Sequence, residues 1–218
     1  MKVTLQAPGL VVADHVLPAE TFEAVADEVD AGEYHSVHAR RWDKAWRLSD
    51  GQPLRGPSVR FDPAGLLDQG QVSYPTGTSV DALVDAAREL ADRFPDVAGT
   101  QGADWRAMFV APWLYPVGSA LSLHLDGGKY TGAFTFFAHR SWSLHWGGEL
   151  FVFHDADPVA PSRGYDQDED SSGIATCIVP YPNRLVLLGP DRPHMIRRVD
   201  TNAGTHVRAS LAGFFLRV

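Results

Sequence analysis

The sequence predicts a mostly β protein with flanking helices, built on a double-stranded β-helix core of the jelly-roll kind. Helical spacing of apolar residues occurs only in the first hundred residues, which we expect to supply helices and loops packed on the core. From residue 101 to 218, short strand-like runs follow one another between turn residues. No crossover helix falls between these runs, which disfavours a doubly wound parallel sheet.

Two helices are expected before the core. Pro18 opens a stretch with apolar positions at helical spacing, and Gly32 ends it. Ser79 is expected to cap a second helix, which Pro95 ends. Residues 33–78 carry many Gly, Pro and Asp residues without a sustained period, so we expect loops and short strands there.

The second part of the chain is predicted to form eight short strands, an arrangement typical of an antiparallel double-sheet jelly roll. An acidic segment, residues 155–173, is expected to interrupt the series as a long loop. The predicted strands are Trp105 to Leu114, Ala120 to Leu125, Tyr130 to Ala138, Glu149 to Phe153, Ile174 to Val179, Arg184 to Leu188, Met195 to Val199 and Val207 to Val218.

Composition limits the class of protein. A length of 218 residues with 44% hydrophobic residues suits a single domain, residues 1–218, with a sizeable core. The net charge of −8 argues against nucleic-acid binding. No apolar stretch has the length of a membrane span or of a signal peptide, and the lone Cys177 fits a reducing compartment. We therefore expect a cytoplasmic protein without membrane association; the sequence leaves its oligomeric state open.

His124 and Asp126 are candidate metal ligands. Residues two apart on a strand point to one face, so this imidazole and carboxylate can reach the same ion. His194, at the start of a later predicted strand, supplies a third ligand. Two histidines and one carboxylate leave three positions of an octahedral ion open, as in oxygen-activating ferrous sites. A His-x-Asp triplet alone is weak evidence, and the glycine pair after it and the later histidine strengthen it.

Arg208 and Ser210 form a second pair on one strand face. A guanidinium fork and a hydroxyl together suit the binding of a carboxylate. The apolar neighbours Leu211 and Phe214 indicate that Arg208 is partly buried, and a buried arginine needs an anionic partner. That partner is either an internal Asp or Glu or the distal carboxylate of 2-oxoglutarate.

Several motifs occur together in a specific order between Trp113 and the C-terminus. They are Tyr115-Pro116-x-Gly118, His124-x-Asp126, Phe134-Thr135-Phe136-Phe137, His139-Arg140-Ser141-Trp142, Trp146-Gly147-Gly148-Glu149-Leu150, Asn183-Arg184-Leu185-Val186-Leu187, His194 and Arg208-x-Ser210. In this joint pattern the sequence resembles the 2-oxoglutarate/iron(II)-dependent dioxygenases of the prolyl-4-hydroxylase-like type. Prolyl hydroxylases proper commonly hold the distal carboxylate with a lysine, so the resemblance does not extend to a prolyl-peptide substrate.

The resemblance implies a non-haem iron dioxygenase that hydroxylates a C–H bond. The small size and acidic charge favour a small substrate, an amino acid or a natural-product intermediate, and leave a protein or carrier-bound substrate open. The resemblance also implies Fe(II) on His124, Asp126 and His194, with O2 and 2-oxoglutarate, which is decarboxylated to succinate. Arg208 and Ser210 would hold 2-oxoglutarate. The carboxylate ligand implies hydroxylation rather than halogenation, and leaves desaturation or cyclisation open.

Three further residues have two interpretations each. Tyr115 either donates a hydrogen bond to the cosubstrate or packs in the core. Arg140 and Trp142, in a turn near the expected barrel mouth, either contact substrate or lie in a surface turn. Residues 40–47 form either a solvated loop or a substrate-facing one. Segments 33–60 and 155–173 are candidates for closing over the substrate, because both are long and irregular.

Two alternative functions use the same histidines. One is a cupin-like sensing module with a structural metal and no turnover. The other is a cupin-type hydrolase or isomerase with zinc or manganese. Neither alternative explains Arg208 and Ser210, because neither needs a site for a carboxylate.

Overall fold

The computed structural model describes residues 1–39, 46–63, 65, 72–154 and 173–217. The predictions for Arg40 to Lys44 and for residues 155–172 lie outside these ranges. The helices are α1 (Ala19–Ala31), α2 (Val80–Arg93) and α3 (Pro95–Ala98). The strands are β1 (Lys2–Ala7), β2 (Leu10–Asp14), β3 (His35–Ser36), β4 (Leu54–Arg55), β5 (Val59–Phe61), β6 (Val72–Ser73), β7 (Trp105–Tyr115), β8 (Leu121–His124), β9 (Tyr130–Phe137), β10 (Leu150–Phe153), β11 (Ala175–Ile178), β12 (Leu185–Leu188), β13 (His194–Ile196) and β14 (Arg208–Arg217).

The strands form two sheets. The larger sheet has the order β1-β2-β12-β9-β14-β7-β4-β3, with β5 paired to β7 and to β6. The smaller sheet has the order β11-β10-β13-β8. All pairs are antiparallel except β5 with β6. The predicted fold class is confirmed, and each of the eight predicted strands coincides with one of β7 to β14 within three residues at each end.

The larger sheet separates two apolar layers. On β12, Leu185 and Leu187 pack in the layer that contains the buried faces of α1 and α2. The alternate residues, Val186 and Leu188, pack with Leu150 and other residues of the smaller sheet. A strand covered on both faces reads as a continuous apolar run, as β12 does. The second layer holds the functional site described below.

Helices α1 and α2 occur where they were predicted, but Ser79 does not cap α2. Its backbone is already helical, with φ −67° and ψ −19°, and its side chain makes no capping bond. The Ser79 hydroxyl instead donates to Glu28 Oε1 of α1 at 2.7 Å, which joins the two helices. Pro95 ends α2 and also begins α3. Among the described helices, none has both the length and the apolar character that a bilayer crossing requires.

The N-terminal hairpin of β1 and β2 was not predicted. Strand β2 pairs with β12 and so extends the larger sheet. Its residues Leu10 to Ala13 are all buried, two in each apolar layer. Because both faces of β2 are covered, its sequence shows no polar alternation, and so short a run was not recognised as a strand.

Candidate metal centre

Pairing of β8 with β13 brings the candidate ligands together. His124 and His194 are directly opposite each other in this pair, and their ring centroids are 4.2 Å apart. Asp126 follows β8, with Oδ1 3.8 Å from Nε2 of His124 and Oδ2 3.9 Å from Nε2 of His194. One potential ligand atom from each residue lies within 4.8 Å of the other two. The three side chains therefore converge on one point.

Backbone carbonyls orient both imidazoles. Nδ1 of His124 lies 2.8 Å from the Ser122 carbonyl oxygen, and Nδ1 of His194 lies 2.9 Å from that of Arg192. A carbonyl oxygen only accepts, so each Nδ1 carries the proton and donates it. This leaves the lone pair on Nε2 of each ring available to an ion, the usual arrangement around metal-binding histidines.

Electrostatics favour the neutral form of His124. Burial and the adjacent His194 lower the pKa of His124 to about 4, against the opposing effect of the Asp126 carboxylate. Near neutral pH the ring is therefore neutral, with no proton on Nε2, as a metal ligand must be.

The carboxylate of Asp50, a residue that was not predicted to belong to the site, supports the strand that carries His124. Asp50 is only 3% exposed and accepts a hydrogen bond from Ser122 Oγ at 2.6 Å. Its other carboxylate oxygen accepts from the Arg47 backbone N–H at 2.8 Å. Asp50 and Ser122 are 72 residues apart, so no local sequence signal connects them.

A cavity of about 290 Å³ adjoins the three ligands. Apart from them, its wall is largely aromatic and aliphatic; among the described residues it also has one arginine, two aliphatic hydroxyl side chains and two tyrosine phenols. The lining residues besides the ligands are Trp46, Arg55, Phe109, Trp113, Tyr115, Leu121, Leu125, Gly127, Tyr130, Ala133, Phe134, Thr135, Leu150, Leu188, Ser210, Ile196, Ala212 and Phe214.

Arg208 is completely buried beside this cavity. Nε donates to the Gly148 carbonyl oxygen at 2.7 Å, and Nη1 donates to Ser210 Oγ at 3.3 Å. The guanidinium carbon lies 4.9 Å from the Tyr115 ring centroid and 5.0 Å from that of Phe137. Burial lowers the pKa of Arg208 to about 10, so it remains a cation near neutral pH.

The surroundings of Arg208 fit an anionic ligand. Nη2 is buried, and no hydrogen-bond partner for it is found in the described part of the chain. The ion pairs found there do not include Arg208, so the internal Asp or Glu considered above is not observed. Ser210, bonded to Arg208, lines the cavity. A carboxylate at this point would satisfy a buried cation that is otherwise costly to leave unpaired.

Arg140 lies away from the cavity, which corrects its expected substrate contact. Its exposed guanidinium forms ion pairs with Glu23, Asp27 and Asp30, all on α1. The turn after β9 faces that helix, so Arg140 links α1 to the larger sheet through ion pairs. It is not among the residues that line the cavity.

Trp142 also does not line the cavity. It is 8% exposed, and its indole N–H donates to the Gly147 carbonyl oxygen at 2.8 Å. It is therefore neither a substrate contact nor part of a surface turn, but a core residue behind the Gly147-Gly148 segment. Tyr115 is buried and lines the cavity, and burial raises the pKa of its phenol.

Two cavity residues come from the irregular N-terminal segment. Trp46 stacks on Trp113 with ring centroids 5.3 Å apart, so this end of the 40–47 segment faces the cavity. Arg55 of β4 was missed, because a single arginine in an aperiodic stretch carries no sequence signal of its own.

No family model and no curated protein sequence matches this chain. Solved structures match over nearly its full length. A prolyl-4-hydroxylase from Pseudomonas putida has a TM-score of 0.65 at 20% identity, covering 97% of this chain and 94% of that one. A Trichoplax adhaerens prolyl hydroxylase, in complex with a hypoxia inducible factor peptide fragment, has a TM-score of 0.63 at 13% identity, covering 96% and 84%.

A third match is HygX from Streptomyces hygroscopicus, whose structure holds nickel, 2-oxoglutarate and hygromycin B. Its TM-score is 0.60 at 15% identity, covering 96% of this chain and 83% of that one. At identities this low, a structural match shows the fold alone, and the chemistry has to be argued from the side chains of the site. This chain therefore has the fold found in those prolyl hydroxylases and in HygX.

Proposed function

We propose that this protein is a non-haem iron(II) dioxygenase that uses 2-oxoglutarate and O2 to hydroxylate a C–H bond of a small substrate. The observation that carries this proposal is Arg208, a fully buried cation whose Nη2 has no hydrogen-bond partner among the residues that the structure describes. It lies with Ser210 beside a cavity that also contains a His-Asp-His cluster. A structural metal site, or a hydrolase of the cupin type, has no use for a carboxylate clamp.

The residues present suit iron(II) and 2-oxoglutarate. His124, Asp126 and His194 would hold the metal, because two imidazoles and one carboxylate are the donor set of ferrous oxygenases with open positions. When bound, the metal and its cosubstrate supply the oxygen-activating chemistry, and the protein supplies position and surroundings.

The protein's own groups bind the cosubstrate and control access of water. Arg208 and Ser210 would donate hydrogen bonds to the distal carboxylate of 2-oxoglutarate. Burial raises the pKa of Tyr115, which keeps its phenol protonated and able to donate a further hydrogen bond. The aromatic and aliphatic wall excludes water from the reacting groups.

Fold and cavity size support a small substrate. HygX, of the same fold, binds 2-oxoglutarate together with a metal and a small molecule. A cavity of about 290 Å³ has room for an amino acid or a compact natural-product intermediate. The proposal includes a single dioxygenase domain spanning residues 1–218 and a location in the cytoplasm.

Succinate formation tests the proposal. The ferrous protein should convert 2-oxoglutarate to succinate under air, slowly alone and faster with the correct member of an amino-acid panel. Asp126→Ala should abolish turnover, because the metal loses its carboxylate. Arg208→Lys should raise the 2-oxoglutarate KM about 10-fold or more, since a lysine cannot reproduce the planar fork.

Calorimetric binding measurements can contradict the proposed function. Calorimetry with Ni(II), which does not turn over, should show 2-oxoglutarate binding that Arg208→Lys weakens. If the wild-type protein binds metal but no 2-oxoglutarate and makes no succinate, the structural-metal or hydrolase alternative replaces the proposal.

A further inference from the structure

Two phenylalanine rings leave part of their surface uncovered at one end of the cavity. Phe109 of β7 lies directly opposite Phe214 of β14, and the two ring centroids are 5.2 Å apart at an interplanar angle of 34°. Both side chains line the cavity and are half-buried. On the other face of the same strands, Val110 is 1% exposed and Phe215 is 0% exposed. The ring pair, Phe109 and Phe214, therefore offers aromatic surface to a ligand in the cavity.

The ring pair is separate from the proposed cosubstrate clamp. Trp113 and Ser210 are opposite each other in the same two strands, four residues before Phe214 in β14 and four residues after Phe109 in β7. At about 3.3 Å per residue, four residues along a strand correspond to about 13 Å. A 2-oxoglutarate molecule held at Ser210 and Arg208 is shorter than this distance, so it leaves the ring pair uncovered.

The ring pair lies at the metal-ligand end of the cavity. Asp126 is followed by a turn in which the Tyr130 backbone N–H donates to the Gly127 carbonyl oxygen at 3.2 Å. The Tyr130 ring packs on both members of the pair, with its centroid 4.5 Å from that of Phe214 and 6.1 Å from that of Phe109. A ligand resting on the ring pair is therefore close to the turn that carries Asp126.

The two sheets contribute different side chains to the cavity wall. The larger sheet supplies aromatic rings, whereas the smaller sheet supplies the aliphatic side chains of Leu121, Leu150 and Ile196. Aromatic rings in offset or edge-to-face contact gain more free energy than the burial of their area provides, whereas a saturated ring gains from burial alone. The wall at the ring pair therefore favours an aromatic ring over a saturated ring of similar size.

We propose that the ring pair binds an aromatic ring of the substrate, and that the substrate is a small molecule with at least one uncharged aromatic ring. This deepens the proposed function and rests on it. The substrate ring would contact Phe109 and Phe214 from the cavity side, while 2-oxoglutarate occupies the end at Arg208. Such a contact also removes the uncovered part of both phenylalanine rings from water.

Matched ligands test this inference without turnover. Protein loaded with Ni(II) and 2-oxoglutarate is titrated calorimetrically with free phenylalanine, 3-phenylpropanoate and benzyl alcohol, and with the cyclohexyl counterpart of each. The saturated counterparts are similar in size and no less hydrophobic, so burial alone does not favour the aromatic ligands. We expect at least one aromatic ligand to bind about 3-fold or more tightly than its counterpart.

Substitutions in the ring pair should change this preference. Phe214→Leu should remove it, because leucine keeps an apolar side chain and lacks the ring, and Phe109→Leu should do the same. Phe214→Tyr keeps the ring and should retain the preference. Phe151→Leu is the matched control, because Phe151 is a half-buried strand residue outside the cavity lining. It should leave the aromatic preference as in wild type.

Other results overturn the inference. Equal binding of aromatic and cyclohexyl ligands, absence of binding by every aromatic ligand, or an equal effect of Phe151→Leu would show that the ring pair does not recognise an aromatic ring. A preference that persists in both Phe214→Leu and Phe109→Leu would show the same. Weaker 2-oxoglutarate binding in Phe214→Leu would assign the ring pair to the cosubstrate instead. These failures differ from failure of the proposed function, in which wild-type protein binds no 2-oxoglutarate at all.

Discussion

The contact between Gly148 and Arg208 depends on the absence of a side chain. Gly148 has φ +74°, a left-handed conformation that other residues adopt at a cost. A Cβ at this position would lie 2.9 Å from Cδ of Arg208, too close for ordinary contact. The Gly148 carbonyl oxygen accepts the Nε–H of the same arginine. One glycine therefore fixes where the buried guanidinium lies.

Gly148→Ala should weaken 2-oxoglutarate binding about 10-fold, because a displaced guanidinium loses one well-directed charge-assisted hydrogen bond. The left-handed backbone adds about 1–2 kcal/mol of instability. Calorimetry and thermal unfolding measure the two effects. The matched control is Gly204→Ala, with φ +60° and no heavy atom within 4 Å of the added Cβ. It should lower stability while leaving 2-oxoglutarate affinity unchanged; equal weakening in both variants would contradict the assigned contact.

Among the structural elements, the turn Leu48–Asp50 connects the cavity wall to the ligand strand. The Asp50 carbonyl oxygen accepts from the Ala120 backbone N–H at 2.8 Å, just before β8, and its carboxylate accepts from Ser122 within β8. Four residues before Asp50, Trp46 lines the cavity. The turn therefore positions both the strand that carries His124 and part of the substrate wall.

Asp50→Ala should weaken metal binding about 10- to 100-fold, the usual effect of removing an outer partner of a metal site. Ni(II) titration measures this directly. Asp200→Ala is a suitable control, because Asp200 caps the similar turn Thr201–Ala203 through the Asn202 N–H and does not contact β8 in the described structure. If the two variants bind Ni(II) equally well, Asp50 stabilises the turn without positioning the metal ligands.

In the molecule as a whole, His139 links the two sheets. Its Nδ1 lies 3.1 Å from the carbonyl oxygen of Ala209 in β14, and its Nε2 lies 2.5 Å from that of Pro180, which follows β11 of the smaller sheet. Burial and the nearby Arg208 lower the pKa of His139 to about 4, although the two carbonyls favour the protonated ring. The His139 ring therefore binds a proton less readily in the folded protein than in the unfolded chain.

Stability should fall in mild acid for this reason. The unfolded ring has an ordinary pKa near 6.5, so between pH 6.5 and about 4 the unfolded state binds more protons than the folded state. The contribution of His139 to the free energy of unfolding is thus complete above pH 6.5. It is lost as pH falls toward 4, by at most about 1.4 kcal/mol per pH unit. Urea unfolding of metal-free protein at several pH values measures it.

His139→Gln should reduce the pH dependence of the free energy of unfolding between pH 6.5 and 4, even if it lowers stability at every pH. The exposed His154, changed to Gln, serves as the control and should leave the slope as in wild type. An unchanged slope in His139→Gln would contradict the lowered pKa.

Local patterns predicted a large part of the structure. The strands β7 to β14 each have a continuous run of strand-forming residues, and Arg208 and Ser210 share a face because side chains alternate along any strand. The same rule made His124 and Asp126 a candidate pair. By contrast, Ser79 satisfied the rule for a helix cap and yet bonds to Glu28, because a distant carboxylate competes with the local backbone.

The sequence by itself determined the kinds of element and the sets of chemically reactive side chains, since both depend on residues a few positions apart. The tertiary structure alone decided that β13 pairs with β8, which sets His194 opposite His124, and that Asp50 and Arg55 join the site. It also paired Arg140 with acidic residues of α1 and buried Trp142 in the core. Such placements depend on contacts between distant segments, whose free energies arise only when the whole core packs.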